Sequence, residues 1–191
     1  MKKEVNYSII VTALVVIFAT IGSTYAYYSL VASGSNKNVV SSSEKYEIVY
    51  RGGTNIDSTN CEMRVVSSKE GGCSTTVEFG LGTGVDIAVN GNLFINVDSI
   101  SDALKIAGFK WEVYQVSGQT ETFVSQGNFQ NIPVSNQIQI VSNRPLSTTV
   151  AQYKIYFWID GNLTGNDVAN ATFSGYIGAS TETLTGIVNN S

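Results

Sequence analysis

Two cysteines, a few carboxylates and an Asp-Gly-Asn loop are the residues with chemistry to offer in this chain, and no histidine accompanies them. That absence removes the usual zinc ligand set, the Ser-His-Asp triad and the Cys-His dyad together. An enzyme would need paired carboxylates or a Ser-Lys pair, without the commonest general base near neutral pH. Asp98, Asp102, Glu112 and Glu121 show no defensible pairing and read as solvated or capping groups. Asp160 to Asp167 (DGNLTGND) places oxygens at 160, 162 and 164, the early spacing of a calcium loop. Gly161 and Ala171 fall where that pattern wants no glycine and a bidentate Glu, so a hairpin loop is the preferred reading. Asn162-Leu163-Thr164 and Asn170-Ala171-Thr172 match the glycosylation acceptor pattern, which carries no meaning in most bacteria. No catalytic residue, metal ligand or cofactor site is assigned, and the chain is read as a non-enzyme.

Cys61 and Cys73 form an even pair at close spacing, which in an exported chain reads as a disulfide. Lys69-Glu70-Gly71-Gly72 between them is a turn signal, so the two cysteines are expected to face one another across a hairpin. A metal pair, which lacks further ligands, and a reduced pair are the alternatives.

Export is written in the first residues. Lys2 and Lys3 form a short basic end, Ile9 to Ile21 is apolar apart from two threonines, and Thr24 and Ala26 are small. This is the layout of a secretory signal peptide cut between Ala26 and Tyr27. The apolar run is well short of the ~20 residues of a spanning helix. Counted from Ser8 to Ala26 it leaves an uncleaved membrane anchor open. The body is expected outside the cell membrane, secreted or held at the surface. No LPxTG-type sorting signal or C-terminal apolar tail is seen, so surface retention would rest on the uncleaved N-terminus or on polymerisation, or would not occur.

The elements that must position these residues are strands. Alternation runs through Tyr46–Tyr50, Thr75–Phe79, Val85–Val89, Leu93–Val97, Lys110–Val116, Gln137–Val141, Tyr153–Ile159 and Ala171–Ile177, with Asn90-Gly91-Asn92 as a hairpin turn. Tyr153–Ile159 (YKIYFWI) is apolar on both faces and is expected at the centre of the sheet. Tyr153, Tyr156, Phe157 and Trp158 offer the materials of a sugar platform, but core packing is the preferred reading. Only Asp98–Gly108 argues for helix, with a cap at Asp98 or Ser99, an apolar face of Ile100, Ala103, Leu104 and Ala107, and a stop at Gly108. Nine or ten short strands with turns between them predict an all-β domain over residues 44–191, a β-sandwich or jelly roll with one short helix. Pro133 and Pro145 are both expected in loops.

Charged residues make up only 14% of the chain, against ~25% in ordinary soluble domains, and the net charge is −4. No basic stripe exists to neutralise phosphates, so nucleic acid is not an expected partner. A surface of Ser, Thr, Asn, Gln and Gly suits packing against copies of the same chain or against a matrix. Residues 27–43 read as a flexible lead-in or a donor strand. The segment is apolar and small-polar, with one charge (Lys37) and no proline. Val31, Val39 and Val40 are its expected anchors on the sheet edge of a neighbour.

The block Ile21-Gly22-Ser23-Thr24-Tyr25-Ala26-Tyr27-Tyr28-Ser29 resembles the export signal of the TasA/camelysin group of Gram-positive bacteria, cut by a SipW-type signal peptidase. The body is similar, more loosely, to uncharacterised Firmicutes surface proteins. That similarity lies in residues 101–105, 127–129, 145–149, 153–162 and 173–175. The resemblance implies a jelly-roll-like domain at the cell surface that polymerises into biofilm matrix fibres by donating an N-terminal strand. It transfers no functional residue from the body.

The function expected is therefore a structural subunit of an extracellular filament, with itself or related surface subunits as partners. A monomeric adhesin or carbohydrate-binding module is the first alternative and a carboxylate-based secreted hydrolase the second.

Overall fold

Alternation along the chain becomes eleven strands among the described residues. The computed structural model describes residues 31–32, 39–42, 47–53, 55–57, 59–61, 64–83, 88–162 and 168–183. The strands are β1 (Val31–Ala32), β2 (Val39–Ser42), β3 (Glu47–Gly52), β4 (Val65–Val66), β5 (Cys73–Leu81), β6 (Val89–Ile100), β7 (Phe109–Ser117), β8 (Thr120–Asn128), β9 (Gln137–Pro145), β10 (Ala151–Asp160) and β11 (Phe173–Thr183). They form a four-stranded sheet in the order β1-β11-β6-β9 and a seven-stranded sheet in the order β2-β3-β5-β10-β7-β8, with β4 added beside β10. Every pairing is antiparallel except the short parallel contact of β4 with β10. Residues 1–26, expected as a signal or anchor, and the expected cut at Ala26/Tyr27 lie outside the described residues. Among the described residues no helix is long and apolar enough to cross a membrane.

The inner faces of both sheets supply one core. β10 contributes Tyr153, Ile155, Phe157 and Ile159 on alternate positions. It lies between β5 and β7, the central place expected from its composition. β7 adds Phe109, Trp111 and Val113, and β3 adds Ile48 and Tyr50. From the smaller sheet come Leu93, Ile95 and Val97 of β6 and Ile177 and Ala179 of β11. Phe109 and Phe129 stack with ring centroids 4.2 Å apart, and Phe173 meets Phe109 edge-on at 5.2 Å. The Tyr50 hydroxyl crosses between sheets to donate to the Ile177 carbonyl at 2.7 Å.

Several expectations need correction. Asn90-Gly91-Asn92 is not a turn. It lies inside β6, a single twelve-residue strand. A Cβ on Gly91 would stand 2.2 Å from Cε1 of Phe79, so the glycine serves the close approach of an aromatic ring. The asparagines are held by side chains of β9, described below. The helix over 98–108 is also absent. β6 runs through Ile100, and only a 3-10 turn, Asp102–Leu104, follows. The Ser101 hydroxyl accepts the Thr172 amide at 2.9 Å and ties this turn to the start of β11 instead of capping a helix. A second 3-10 turn covers Lys69–Gly71. Strand β8 is an addition to the expected set. Its first four residues are exposed, so period-two burial is faint there, and Gly118 at φ 61° supplies the two-residue turn that enters it. Pro145 is the last residue of β9 rather than a loop residue, on the edge of its sheet where a missing N–H is tolerated.

Candidate functional site

The outer edges of β3 and β11 are where the lead-in segment meets the sandwich. β2 pairs with β3 in the register Val39 with Tyr50 and Val40 with Val49. β1 pairs with β11, Val31 opposite Ser180 and Ala32 opposite Ala179. Val31, Val39 and Val40 therefore all fall in strands, and those strands form one edge of each sheet within one chain, with β9 and β8 at the other edges. The remainder of 27–43 lies outside the described residues. Further along β11, Ile56 and Gly175 exchange backbone hydrogen bonds of 2.8 and 3.0 Å. One edge of β11 is thus covered in two short pieces, by Ile56 and by β1. Such pieces satisfy main-chain groups that would otherwise template another strand. The same hydrogen bonds are available to an equivalent strand from a second chain.

Cys61 and Cys73 form a disulfide, with Cα atoms 5.4 Å apart and Cys61 buried in the core. They do not face across a hairpin. Cys73 opens β5, whereas the intervening chain pairs with β10 through Val65 and Val66 and then makes the 3-10 turn. The bridge ties this excursion to the core side of β5, while its 3-10 turn brings Lys69 over the outer face of the larger sheet. There the Lys69 ammonium sits 3.6 Å from the Tyr114 ring centroid and 3.5 Å from the Glu112 carboxylate. Burial pulls the Lys69 pKa down, but the Tyr114 hydroxyl and the Glu112 charge outweigh it and hold it above the usual lysine value.

The outward residues of β10 join the same patch. Tyr156 donates to Glu121 at 2.9 Å and Lys154 reaches the same oxygen at 3.1 Å. The Tyr156 hydroxyl, then Lys154, holds the Glu121 carboxyl below its ordinary value. Tyr114 stands edge-on to Tyr156 at 89° and to Phe123 at 75°. Rings at right angles, one of them covered by an ammonium, do not make a flat sugar platform. Tyr153 and Phe157 are core residues, as expected, whereas Tyr156 points outward to Glu121 instead of packing in the core, and Trp158 is buried on the outer face with its Cβ against the Gly72 position.

The Asp160–Asp167 loop is described only at its start, and 163–167 lie outside the described residues. Asp160 takes the Lys110 ammonium at 2.6 Å and the Asn162 amide at 2.9 Å. The Lys110 hydrogen bond holds its carboxyl below the ordinary range. Among the described residues no group of three Cys, Asp or Glu side chains could hold a metal ion. Asp102 pairs with Lys105 at 2.7 Å, and Asp98 is exposed on β6. Glu112 and Glu121 thus share the Lys69–Tyr114–Tyr156 patch, whereas Asp98 and Asp102 lie apart from it.

A row of uncharged amides was not anticipated. Gln137 donates to Asn96 at 2.8 Å, Gln139 to Asn92 at 3.1 Å, and Asn90 to Asn143 at 2.7 Å. The signal was present in sequence: Asn90, Asn92 and Asn96 share the period-two face opposite Leu93 and Ile95, and Gln137 and Gln139 alternate with Ile138 and Ile140.

No family model and no curated protein matches this chain. Among solved structures, a mutant of xylanase 10C from Cellvibrio japonicus in complex with xylopentaose is similar over 82% of this chain and 27% of that one. The identity is 10% and the TM-score 0.30. The chain spans about a quarter of that protein's length, and a likeness this slight carries no functional argument.

Proposed function

We propose that this chain is a non-enzymatic extracellular protein, a structural subunit of a cell-surface filament or biofilm matrix fibre that assembles by β-strand donation. The observation that carries the reading is the placement of β1 and β2 on the edges of both sheets, from one segment between the export block and the domain. Two and four residues of pairing make a modest local hold. Exchange of that segment with a neighbour replaces like hydrogen bonds with like, so its enthalpic cost is small. The export block resembling that of the TasA/camelysin group supports the same reading, as does the low charge content. The disulfide fits an oxidising compartment.

Deleting Tyr27 to Ser43 from the exported chain tests it. The truncated protein is expected to stay folded and monomeric and to bind a synthetic peptide of that segment. Polymerisation equal to that of the uncut chain would remove strand donation from the account.

A second reading, a monomeric surface adhesin or carbohydrate-binding module, draws on the amide row of the smaller sheet. Uncharged Asn and Gln with Tyr176 nearby are groups that sugars use. Ligand-dependent stabilisation of a monomer by neutral glycans would favour it over the filament.

A further inference from the structure

The connection from β9 to β10 shapes a cavity that strand donation does not use. Residues 146–150 carry the chain from the smaller sheet to the larger. The Leu146 amide donates to the Val89 carbonyl at 2.8 Å, and the Ser147 carbonyl accepts the Leu81 amide at 2.8 Å. Gly80 permits that approach, because a Cβ there would stand 2.9 Å from Cα of Val150. Both bonds draw the connection toward β5 and β6 and away from β7, which lies on the far side of β10. The space left beside it is a cavity of about 490 Å³, within the roughly 300–1,000 Å³ of small-molecule pockets. The alternation of β7 agrees. Trp111 and Val113 face the core, and the same face continues as Gln115 and Ser117. Polar residues on an inner face mark a place where the second sheet does not close over the first.

Val116, Leu146 and Val150 form a half-buried apolar wall, and Phe79 and Tyr153 close the bottom. Arg144 stands exposed at the rim and donates to Gln115 at 3.0 Å. That partner is neutral, so the guanidinium keeps its full charge, and it has more donors than this bond uses. Burial raises the Tyr153 pKa, while the charge and hydrogen bond of Arg144 pull it back, which places the guanidinium in reach of the Tyr153 hydroxyl. No Asp or Glu lines the cavity, and Arg144 makes no ion pair among the described residues. In a chain of net charge −4, a cavity with one cation and no acid selects for an anion. A free guanidinium edge suits two carboxylate oxygens, and the apolar wall sets the character of the rest of the ligand.

We propose that this cavity binds a monocarboxylate with an aliphatic tail. The carboxylate takes the Arg144 guanidinium at the rim, and the tail lies against Val116, Leu146 and Val150. The lining residues come from β5, β7, β9, β10 and the connection between the last two, and none from β1, β2, β3 or β11. The site is therefore separate from the strand-accepting edges and does not rest on the filament reading.

Photolabelling of the exported chain tests the site, whether or not the chain assembles. An octanoate analogue with a diazirine near the end of its tail should label peptides that hold Val116, Leu146 or Val150. Arg144→Gln is expected to lower that labelling at least tenfold with an unchanged circular dichroism spectrum. Unlabelled octanoate should compete with the probe. 1-Octanol, which has the tail without the charge, should compete at least tenfold less well. That comparison uses the unaltered chain, so it decides the matter even where R144Q disturbs folding. Label found elsewhere or nowhere, a folded R144Q labelled as strongly as the unaltered chain, or octanol competing as well as octanoate overturns the proposal.

Discussion

Single residues carry much of the fold's specificity. The Cys61–Cys73 bridge closes a short loop and anchors the turn that places Lys69 over Tyr114. Cys61→Ser is expected to lower stability by about 2–4 kcal/mol in urea denaturation, and non-reducing mass analysis should find both sulfurs bridged within one chain. Gly91→Ala drives a methyl into the Phe79 ring; overpacking of this kind costs about 1–3 kcal/mol, readable as a lower urea midpoint. Tyr50 is buried, and burial raises its pKa well above the ordinary phenol value. The unfolded chain releases this proton near pH ~10 while the folded chain retains it. Above that pH the unfolded state binds fewer protons, so stability falls as pH rises. Tyr153, also raised by burial, acts in the same direction. Tyr50→Phe should flatten part of this alkaline loss, at a cost of about 1 kcal/mol near neutrality for the unmatched Ile177 carbonyl. Stability measured from pH 7 to 11 checks both parts. The cysteine pairing was legible from count and spacing. Gly91 was misread because a turn and a close ring approach ask for the same residue, and only the position of Phe79 distinguishes them.

Elements were legible where burial is periodic. β5, β7, β10 and β11 follow the alternation of their side chains, and β10 lies where its two-sided apolar composition puts it. β8 was not anticipated because exposed Thr120, Glu121 and Thr122 open an edge strand whose residues answer to solvent. The helix over 98–108 failed because pairing of β6 with β11 reaches Ile100 and consumes its first turn. The lead-in read equally as a flexible segment or a donor strand; Val31–Ala32 and Val39–Ser42 lie in strands, and their pairing partners were not legible because backbone edges leave no mark in side-chain pattern. At this scale the account predicts that β3 and β11 are the accepting edges. In the chain lacking residues 27–43, amide hydrogen exchange at residues 47–52 and 179–181 should slow on binding of the 27–43 peptide. Unchanged exchange at both edges would leave the donated strand without a seat.

For the whole molecule, the proposed strand donation uses the edges of β3 and β11. It fits a chain with few charges. Processing belongs to this scale: N-terminal sequencing of the extracellular form is expected to begin at Tyr27, and a start at Met1 would make the chain an anchored surface protein. The central claim is assembly through residues 27–43, and sedimentation of the exported chain with and without that segment tests it most directly. The account predicts large assemblies from the uncut chain and a folded monomer from the truncated one. Assemblies of equal size from both would contradict it.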